Sequence, residues 1–219
     1  MAQPGARRLI ATLVAREVRR ALGAAAWLPI AFFLLVATVV PFAVGPNPRL
    51  LELIGGGALW IAALTAALLP IERLVEPDRA DGVLDQLAVR RIPEEAVAAA
   101  KILGHWLTFG PLLLVAALPA AALLRLDGAV LGRSLLSLAI GTPALAALAV
   151  VVASLTAGLR GASALGGLLL IPVAVPLLIF GASAASGESG ALQLEAATAL
   201  FLLAGAPFVS GAALRALRS

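Results

Sequence analysis

Six long stretches without a charged residue constrain this chain more than any other feature of its sequence. They contain 28, 19, 23, 26, 27 and 19 residues, and they lie between Arg20 and Arg49, Glu52 and Glu72, Lys101 and Arg125, Arg133 and Arg160, Arg160 and Glu188, and Glu195 and Arg215. A helix needs about 20 mostly apolar residues to cross the roughly 30 Å hydrocarbon layer of a bilayer. The six stretches therefore predict an all-α integral membrane protein with six transmembrane helices.

The overall composition indicates the same class. The mean hydropathy is +1.05 and 13% of the residues are charged, whereas about a quarter are charged in soluble domains. The first apolar stretch is longer than the apolar region of a signal peptide and follows a basic lead, so we expect it to remain as a span. The chain has no cysteine, which excludes disulfides and thiolate sites.

The basic residues predict the orientation of the chain. With the N-terminus in the cytoplasm, 13 Arg and Lys residues fall inside and three, Arg49, Arg125 and Arg133, fall outside. Such a bias is typical of cytoplasmic ends, so both termini are predicted to be cytoplasmic. The sequence pI of about 11.2 could suggest nucleic-acid binding, but the arginines lie at the ends of apolar stretches. We therefore interpret them as topology determinants, with no nucleic-acid partner.

The predicted organisation is a single transmembrane domain over residues 1–219. Its parts are an interfacial helix at 6–22, spans at about 24–45, 53–71, 94–124, 134–159, 163–185 and 195–214, and a cytoplasmic loop at 72–93. Glu195 falls at the outer end of the sixth span, where we expect a boundary residue.

The N-terminal lead has the pattern of a basic amphipathic helix. Arg8, Thr12, Arg16, Arg19 and Arg20 fall on one side; Ile10, Leu13, Val14, Val18 and Leu22 fall largely on the other. Glu17 interrupts the apolar side. A helix of this kind lies in the membrane interface, with its bases near anionic lipid headgroups. The alternative is a solvated helix that only sets the topology.

The loop after the second span is unusually charged. The segment from Glu72 to Lys101 holds seven acids and five bases, which is 12 of the 28 charged residues. Within it, Asp81 to Val89 forms a short amphipathic helix in which Val83, Leu84 and Leu87 share one face. A soluble partner could hold this helix by its apolar ridge and charged flanks and so tilt the neighbouring spans. The alternative is an ordinary solvated loop.

Catalytic residues are not predicted for this chain. No Gly-rich loop precedes its one lysine, Lys101, so a phosphate-binding loop is not predicted for this chain. Lys101 is predicted to reach the membrane interface. His105 is the one imidazole of the chain that could act as a ligand, with Trp106 beside it. The alternative is a polar packing role for His105 and a headgroup anchor for Trp106.

Several motifs resemble those of one family. The segment ADGVLDQL, from Ala80 to Leu87, resembles the E/D-G-S-L-E-Q-L stretch of the cytochrome c maturation permease, also called heme exporter protein B. The segment AKILGHWL, from Ala100 to Leu107, resembles the A-K-x-L-x-H-W-L stretch of that family. GTPAL at 141–145, GLR at 158–160 and IPVAVPLLIFG at 171–181 follow in the family's order, so the resemblance covers nearly the whole chain.

The resemblance implies an ABC-2-type exporter bundle with an interfacial N-terminal helix and a cytoplasmic coupling helix. The residues that would couple to the ATPase are Asp81, Gly82, Val83, Leu84, Asp85, Gln86 and Leu87. It implies these partners: an ABC ATPase subunit that binds the ATP, a heme-handling membrane protein with a WWD-type motif, a small single-span protein, a periplasmic heme chaperone and membrane lipid. It also implies two copies or an equivalent pairing in the bacterial inner membrane.

The function implied is heme export, or release of a heme-loaded chaperone, in c-type cytochrome biogenesis. Heme would be a transported ligand and not a stably bound cofactor, and the candidate heme contacts would be His105 and Trp106. The bundle could move heme itself, or it could transmit ATP energy to a neighbouring protein. The alternatives are the permease of a drug or glycan exporter and a membrane scaffold that does not transport.

Overall fold

The computed structural model describes residues 6–22, 27–45, 47–159 and 162–218, and for residues 6–7 and 162–171 it describes the backbone alone. Within these ranges the regular structure consists of helices and no strand. The helices are α1 (Ala6–Ala21), α2 (Leu28–Val44), α3 (Pro48–Leu68), α4 (Ile71–Leu74), α5 (Glu76–Ala80), α6 (Val83–Val89), α7 (Glu94–Leu123), α8 (Gly128–Thr156), α9 (Ala162–Ser186) and α10 (Ala191–Ala216). The prediction of an all-helical chain is confirmed.

Local sequence explains where two of the long helices begin. The side-chain oxygen of Asn47 accepts hydrogen bonds from the backbone N–H groups of Arg49 at 3.1 Å and Leu50 at 3.4 Å. Asp127 caps α8 in the same way by accepting from the backbone N–H of Val130 at 2.6 Å. These side chains satisfy donors that the first turn of a helix leaves unpaired.

The caps also explain why the helices extend beyond the predicted spans. α3 begins at Pro48 and α8 at Gly128, whereas the uncharged stretches suggested 53 and 134. Each helix includes one or more charged residues before its apolar part. The helix begins at its capping residue, whereas the uncharged stretch begins only after the last of these charged residues. The first three residues of the predicted first span, 24–26, lie outside the described residues.

Four helices are long and apolar enough to cross a membrane: α3, α7, α8 and α10. α2 and the Pro172–Ser186 part of α9 are apolar but shorter. Large apolar side chains cover the outside of the bundle, among them Phe42, Phe201 and Phe208, which are exposed by two thirds or more. Such extensive apolar exposure is typical of a surface that faces lipid.

The segment between α3 and α7 folds onto one end of the bundle. We call this end, where α4, α5 and α6 lie, the loop end, and the opposite end the far end. Ile71, Val75 and Leu84 from this segment are buried in an apolar cluster with residues of α7, α8 and α10. The segment is therefore packed against α7, α8 and α10.

Candidate functional site

Charged side chains from three separate segments meet at the loop end. We call this group the Asp78 cluster: Arg16, Glu17 and Arg20 from α1, Asp78 from α5, and Lys101 from α7. One carboxylate oxygen of Asp78 accepts from Arg16 and from Arg20, each at 2.5 Å. The other accepts from the ammonium group of Lys101. Asp78 thus joins α1, α5 and α7 through charged hydrogen bonds.

Lys101 is at the centre of this cluster. Its ammonium nitrogen also donates to the backbone oxygen of Leu74 at 2.8 Å and to Glu17 at 3.3 Å. Lys101 and Asp78 are each only 1% exposed. The prediction that Lys101 reaches the membrane interface is therefore wrong, because its charge is neutralised inside the protein by acids brought from α1 and α5. Buried charges are retained only when they are paired in this way.

The electrostatics of Asp78 favour its charged form. Burial by itself would raise the pKa of Asp78, but the positive charge of Lys101 and hydrogen bonds from Lys101 and Arg16 hold the pKa below its ordinary value. For Arg16, burial would lower the pKa, but the hydrogen bond to Asp78 and the charges of Asp78 and Glu17 raise it. The contacts are therefore ion pairs at neutral pH.

Close approach of α1 to α7 depends on a glycine. A Cβ atom added at Gly104 would lie 2.5 Å from Cβ of Glu17, closer than such atoms can approach. Glu17 interrupted the apolar pattern of the N-terminal lead, and the structure shows why. It is the residue that lies against α7 and reaches Lys101. An acid on the apolar side of an interfacial helix was the sequence signal for this contact.

Two further sets of ion pairs fasten the loop end. Glu76 accepts from Arg79 at 2.6 Å and from the backbone N–H of Gly158 at 2.7 Å, which connects α5 to the turn after α8. Hydrogen bonds from Arg79 and Gly158 lower the pKa of Glu76, with burial opposing them. Arg215 and Arg218 of the C-terminal segment pair with Glu94 and Glu95 at the start of α7.

The predicted coupling residues form a short helix with one buried side. Leu84 is buried, and Gly82, Val83 and Leu87 are half-buried, while Asp81, Asp85 and Gln86 are exposed. Leu84 and Leu87 line a small cavity with Val97 of α7 and Leu214 of α10. Much of the predicted apolar ridge therefore contacts the bundle itself. The surface left for a partner is polar, with Val89 as an 84% exposed apolar residue at its edge.

Apolar and charged contacts hold the α5–α6 segment to the neighbouring helices at the loop end. α6 packs on α7 and α10, and α5 is ion-paired to α1 and α7. A displacement of the α5–α6 segment cannot leave these helices in place without breaking charged hydrogen bonds, which are about twice as strong as neutral ones. The α5–α6 segment is therefore held to the bundle by apolar packing and by charged hydrogen bonds.

His105 is buried inside the bundle, and Trp106 beside it is half-buried. The Nε2 atom of His105 is 3.2 Å from the backbone oxygen of Ala67, and its ring lies 4.7 Å from that of Phe109. The indole N–H of Trp106 donates to the hydroxyl of Thr142 at 3.2 Å. Both contacts are those of packed polar side chains. In the described part of the chain, no three His, Cys, Asp or Glu side chains are grouped to hold a metal.

Arg160, one of the 13 basic residues counted on the cytoplasmic side, lies outside the described residues. Asp78 and Glu17 are the functional candidates that sequence reasoning missed. Asp78 was one acid among seven in a charged segment, and the sequence carries no sign of which acid would meet Lys101.

Comparison with known proteins gives a consistent match over nearly the whole chain. The family model described as CcmB protein matches residues 8–216. A heme exporter protein B of Rhodobacter capsulatus is 42% identical over 213 residues, which cover 93% of this chain and 97% of the relative. A heme exporter protein B of Paracoccus denitrificans is 43% identical over 211 residues, with the same coverage. The one of Escherichia coli K12 is 39% identical over 193 residues, covering 85% and 88%.

Proposed function

This chain belongs to the CcmB protein family, and from that membership we propose that it is the membrane permease subunit of an ATP-driven complex for heme export in c-type cytochrome biogenesis. The chain is a multi-pass membrane protein whose relatives are named heme exporter protein B. The observation that carries the mechanism is the Asp78 cluster, because it connects a surface helix to membrane helices through buried charges.

We propose six crossings with both termini in the cytoplasm. Support comes from two ion pairs. Glu17 of α1 pairs with Lys101 of α7, and Arg215 near the end of α10 pairs with Glu95 at the start of α7. Both terminal segments thus lie at the loop end, which requires an even number of crossings. Four long helices and two shorter apolar helices make six. At 17 residues, α2 is at the lower limit for a span.

The loop end is proposed to face the cytoplasm of a bacterial inner membrane. The excess of Arg and Lys at this end supports it. In this orientation α6 would be the coupling helix of an ABC-2-type exporter, held by a separate ATPase subunit through Asp81, Asp85 and Gln86. ATP would bind and be hydrolysed on that subunit. Further proposed partners are the WWD-type heme-handling protein, a small single-span protein, a periplasmic heme chaperone and a second copy of this chain.

The proposed function can be carried out in two different ways. In the first, heme passes through the bundle; in the second, the bundle transmits ATP energy to a heme-handling neighbour. Large side chains, Phe33, Trp60 and Phe109, are fully buried in the core of the bundle, which favours the second mode. A heme contact at His105 would require its ring to leave the carbonyl of Ala67. Vesicles that contain this chain and its ATPase alone separate the modes: ATP-dependent heme transfer there supports the first.

Charge reversal on α6 tests the coupling. In the Asp85→Lys variant we expect recovery of the co-purified ATPase subunit to fall about tenfold or more, because a mismatched charge in an interface costs upward of about 1.4 kcal/mol. Glu188→Lys, an exposed acid at the far end, is the matched control and should leave recovery unchanged. Both variants should insert and keep the thermal stability of the wild type. Undiminished ATPase recovery with Asp85→Lys would contradict the proposed contact.

A further inference from the structure

Glu195 is fully buried inside the bundle, near the far end of α10. The exposed fraction of its side chain is 0%, and among the described residues neither carboxyl oxygen has a hydrogen-bond partner. The expectation that Glu195 is a boundary residue at the membrane surface is therefore wrong. Its side chain points toward α8, where a Cβ atom added at Gly141 would lie 3.1 Å from its Oε1 atom. A fully buried acid in this position requires a physical explanation.

The surroundings of Glu195 hold one organised polar group. Ser137 of α8 donates its hydroxyl proton to the backbone oxygen of Gly181 on α9 at 3.0 Å. The same hydroxyl oxygen accepts from the indole N–H of Trp60 on α3 at 2.8 Å. The Trp60 ring fits between two glycines, since a Cβ atom at Gly141 or Gly181 would lie 2.1 or 2.2 Å from it. Ser137 therefore ties α3, α8 and α9 together beside Glu195.

The bonds of Ser137 decide how it can interact with Glu195. The Oε1 atom of Glu195 lies beside Gly141, one helical turn from Ser137 on the same face of α8, and the one proton of the Ser137 hydroxyl is already donated to Gly181. A hydroxyl oxygen accepts two hydrogen bonds, and Trp60 supplies one of them. The remaining position on Ser137 can accept a bond from a protonated carboxyl group, but it can offer nothing to a carboxylate. The geometry thus fits the neutral acid and not its anion.

Other ionisable groups on the helices packed around α10 do not compensate the charge. α9 has none in its sequence. On α8, Arg133 donates to the backbone oxygen of Ala185 at 3.3 Å. On α7, Lys101 pairs with Asp78, and His105 meets the carbonyl of Ala67. The remaining ionisable groups of α3, α7 and α10 are Arg49, Glu52, Glu94, Glu95 and Arg215. Glu52 is exposed, and Arg215 pairs with both acids of α7.

We propose that Glu195 is a proton-binding site within the bundle, and that its bound proton permits the Ser137 tie between α8 and α9. When the carboxyl O–H bond breaks, the proton passes to water and a carboxylate remains. The carboxylate then competes with Gly181 for the Ser137 hydroxyl proton, or it must be hydrated by separation of α10 from α8. Proton binding therefore stabilises the closed packing described here, and proton loss favours an opened one. An isolated buried carboxylate is otherwise too costly to persist.

Infrared spectroscopy of the full chain in lipid nanodiscs tests the site. At neutral pH we expect the carbonyl absorption of a protonated carboxyl group in the wild type and in Glu52→Gln, the control for an exposed acid. The absorption should be lost in Glu195→Gln, which mimics the protonated form in shape. In Glu195→Asp the carbonyl absorption should shift in frequency. This shift assigns the absorption to residue 195 even if the Gln variant fails to insert. No such absorption in the wild type, or its persistence in Glu195→Gln, would overturn the proposal.

A second measurement tests the link to packing. Raising the pH from neutral to alkaline should lower the thermal stability of the wild type more than that of Glu195→Gln, because only the wild type has this proton to lose. If the thermal stability of the two proteins depended equally on pH, the proposed link between the Glu195 proton and packing would be wrong. Repeating the infrared measurement in sodium and in potassium buffers separates a proton from a metal cation. Loss of the carbonyl absorption in one of these buffers would show a cation site and overturn the proposal.

Discussion

The carboxylate of Asp78 accepts a hydrogen bond from the ammonium group of Lys101, a residue 23 positions later, and both side chains are buried. Asp78 belongs to the segment that leads to α6, and Lys101 belongs to a membrane helix. This pair joins the surface segment to the bundle through a buried, charged hydrogen bond. Arg16 and Arg20 extend it to α1.

Removing the acid of this pair should be strongly destabilising. In Asp78→Asn, Lys101 keeps its burial but loses its nearest counter-charge, and breaking a buried ion pair in this way costs about 3 kcal/mol. Thermal unfolding in detergent micelles measures the effect. Asp81→Asn is the control, since it removes the same charge from an exposed side chain. Equal stability of the two variants would contradict the structural role of Asp78.

The Asp78–Lys101 pair also predicts that the stability of the protein falls at acid pH. Because the pKa of folded Asp78 lies below its ordinary value of 3.8, its ionised form contributes stability above about that pH. This contribution is lost as the pH falls through the lower, folded pKa. Circular dichroism between neutral and acid pH should therefore show a larger acid-induced loss of stability in the wild type than in Asp78→Asn. Parallel curves for the two proteins would count against this assignment.

Docking of α1 should depend on the small size of residue 104. Gly104→Ala places a Cβ atom within 2.5 Å of Glu17 Cβ, so α1 must move away from α7 and the contact between Glu17 and Lys101 must lengthen. We expect faster proteolysis of α1 and reduced thermal stability. Gly132→Ala is the control, because open space surrounds that position and alanine is the better helix former. Unchanged proteolysis of α1 in Gly104→Ala would exclude the close contact.

Leu84 should behave differently from its exposed neighbours on α6. It is buried against α7, α8 and α10, so Leu84→Ala should cost about 2–3 kcal/mol in stability through lost packing. Gln86→Ala, on the exposed side, should leave stability within about 0.5 kcal/mol of the wild type. Urea or thermal unfolding in micelles distinguishes them. A neutral Leu84→Ala would mean that α6 does not rest on the bundle.

His105 offers a test between packing and heme contact. In the structure its ring meets the Ala67 carbonyl and Phe109, so we expect His105→Gln, which retains a donor, to leave the heme absorption spectrum of the assembled complex unchanged. His105→Leu should reduce thermal stability, because it leaves the carbonyl without a partner. A shifted or lost heme spectrum in His105→Gln would instead support direct heme contact.

The sequence by itself determined the class of protein, the succession of helices and the position of the charged segment. Hydropathy and length are sufficient for this, because a bilayer accepts only long apolar helices that satisfy their own backbone hydrogen bonds. The position of a helix end is less well determined. The first span was predicted at about 24–45, and the helix found there, α2, has 17 residues, Leu28–Val44.

Only the tertiary structure decided which charges meet. Arg16 and Asp78 are 62 residues apart, and Lys101 lies beyond both, so no local pattern links them. Glu17 looked like an interruption of an apolar face until α7 was placed beside it at Gly104. Glu195 looked like a surface residue because it borders an apolar stretch, yet packing of α8 against α10 buries it. Whether a charged side chain is paired or buried depends on how close the neighbouring helices lie. The order of residues along one helix does not determine that distance.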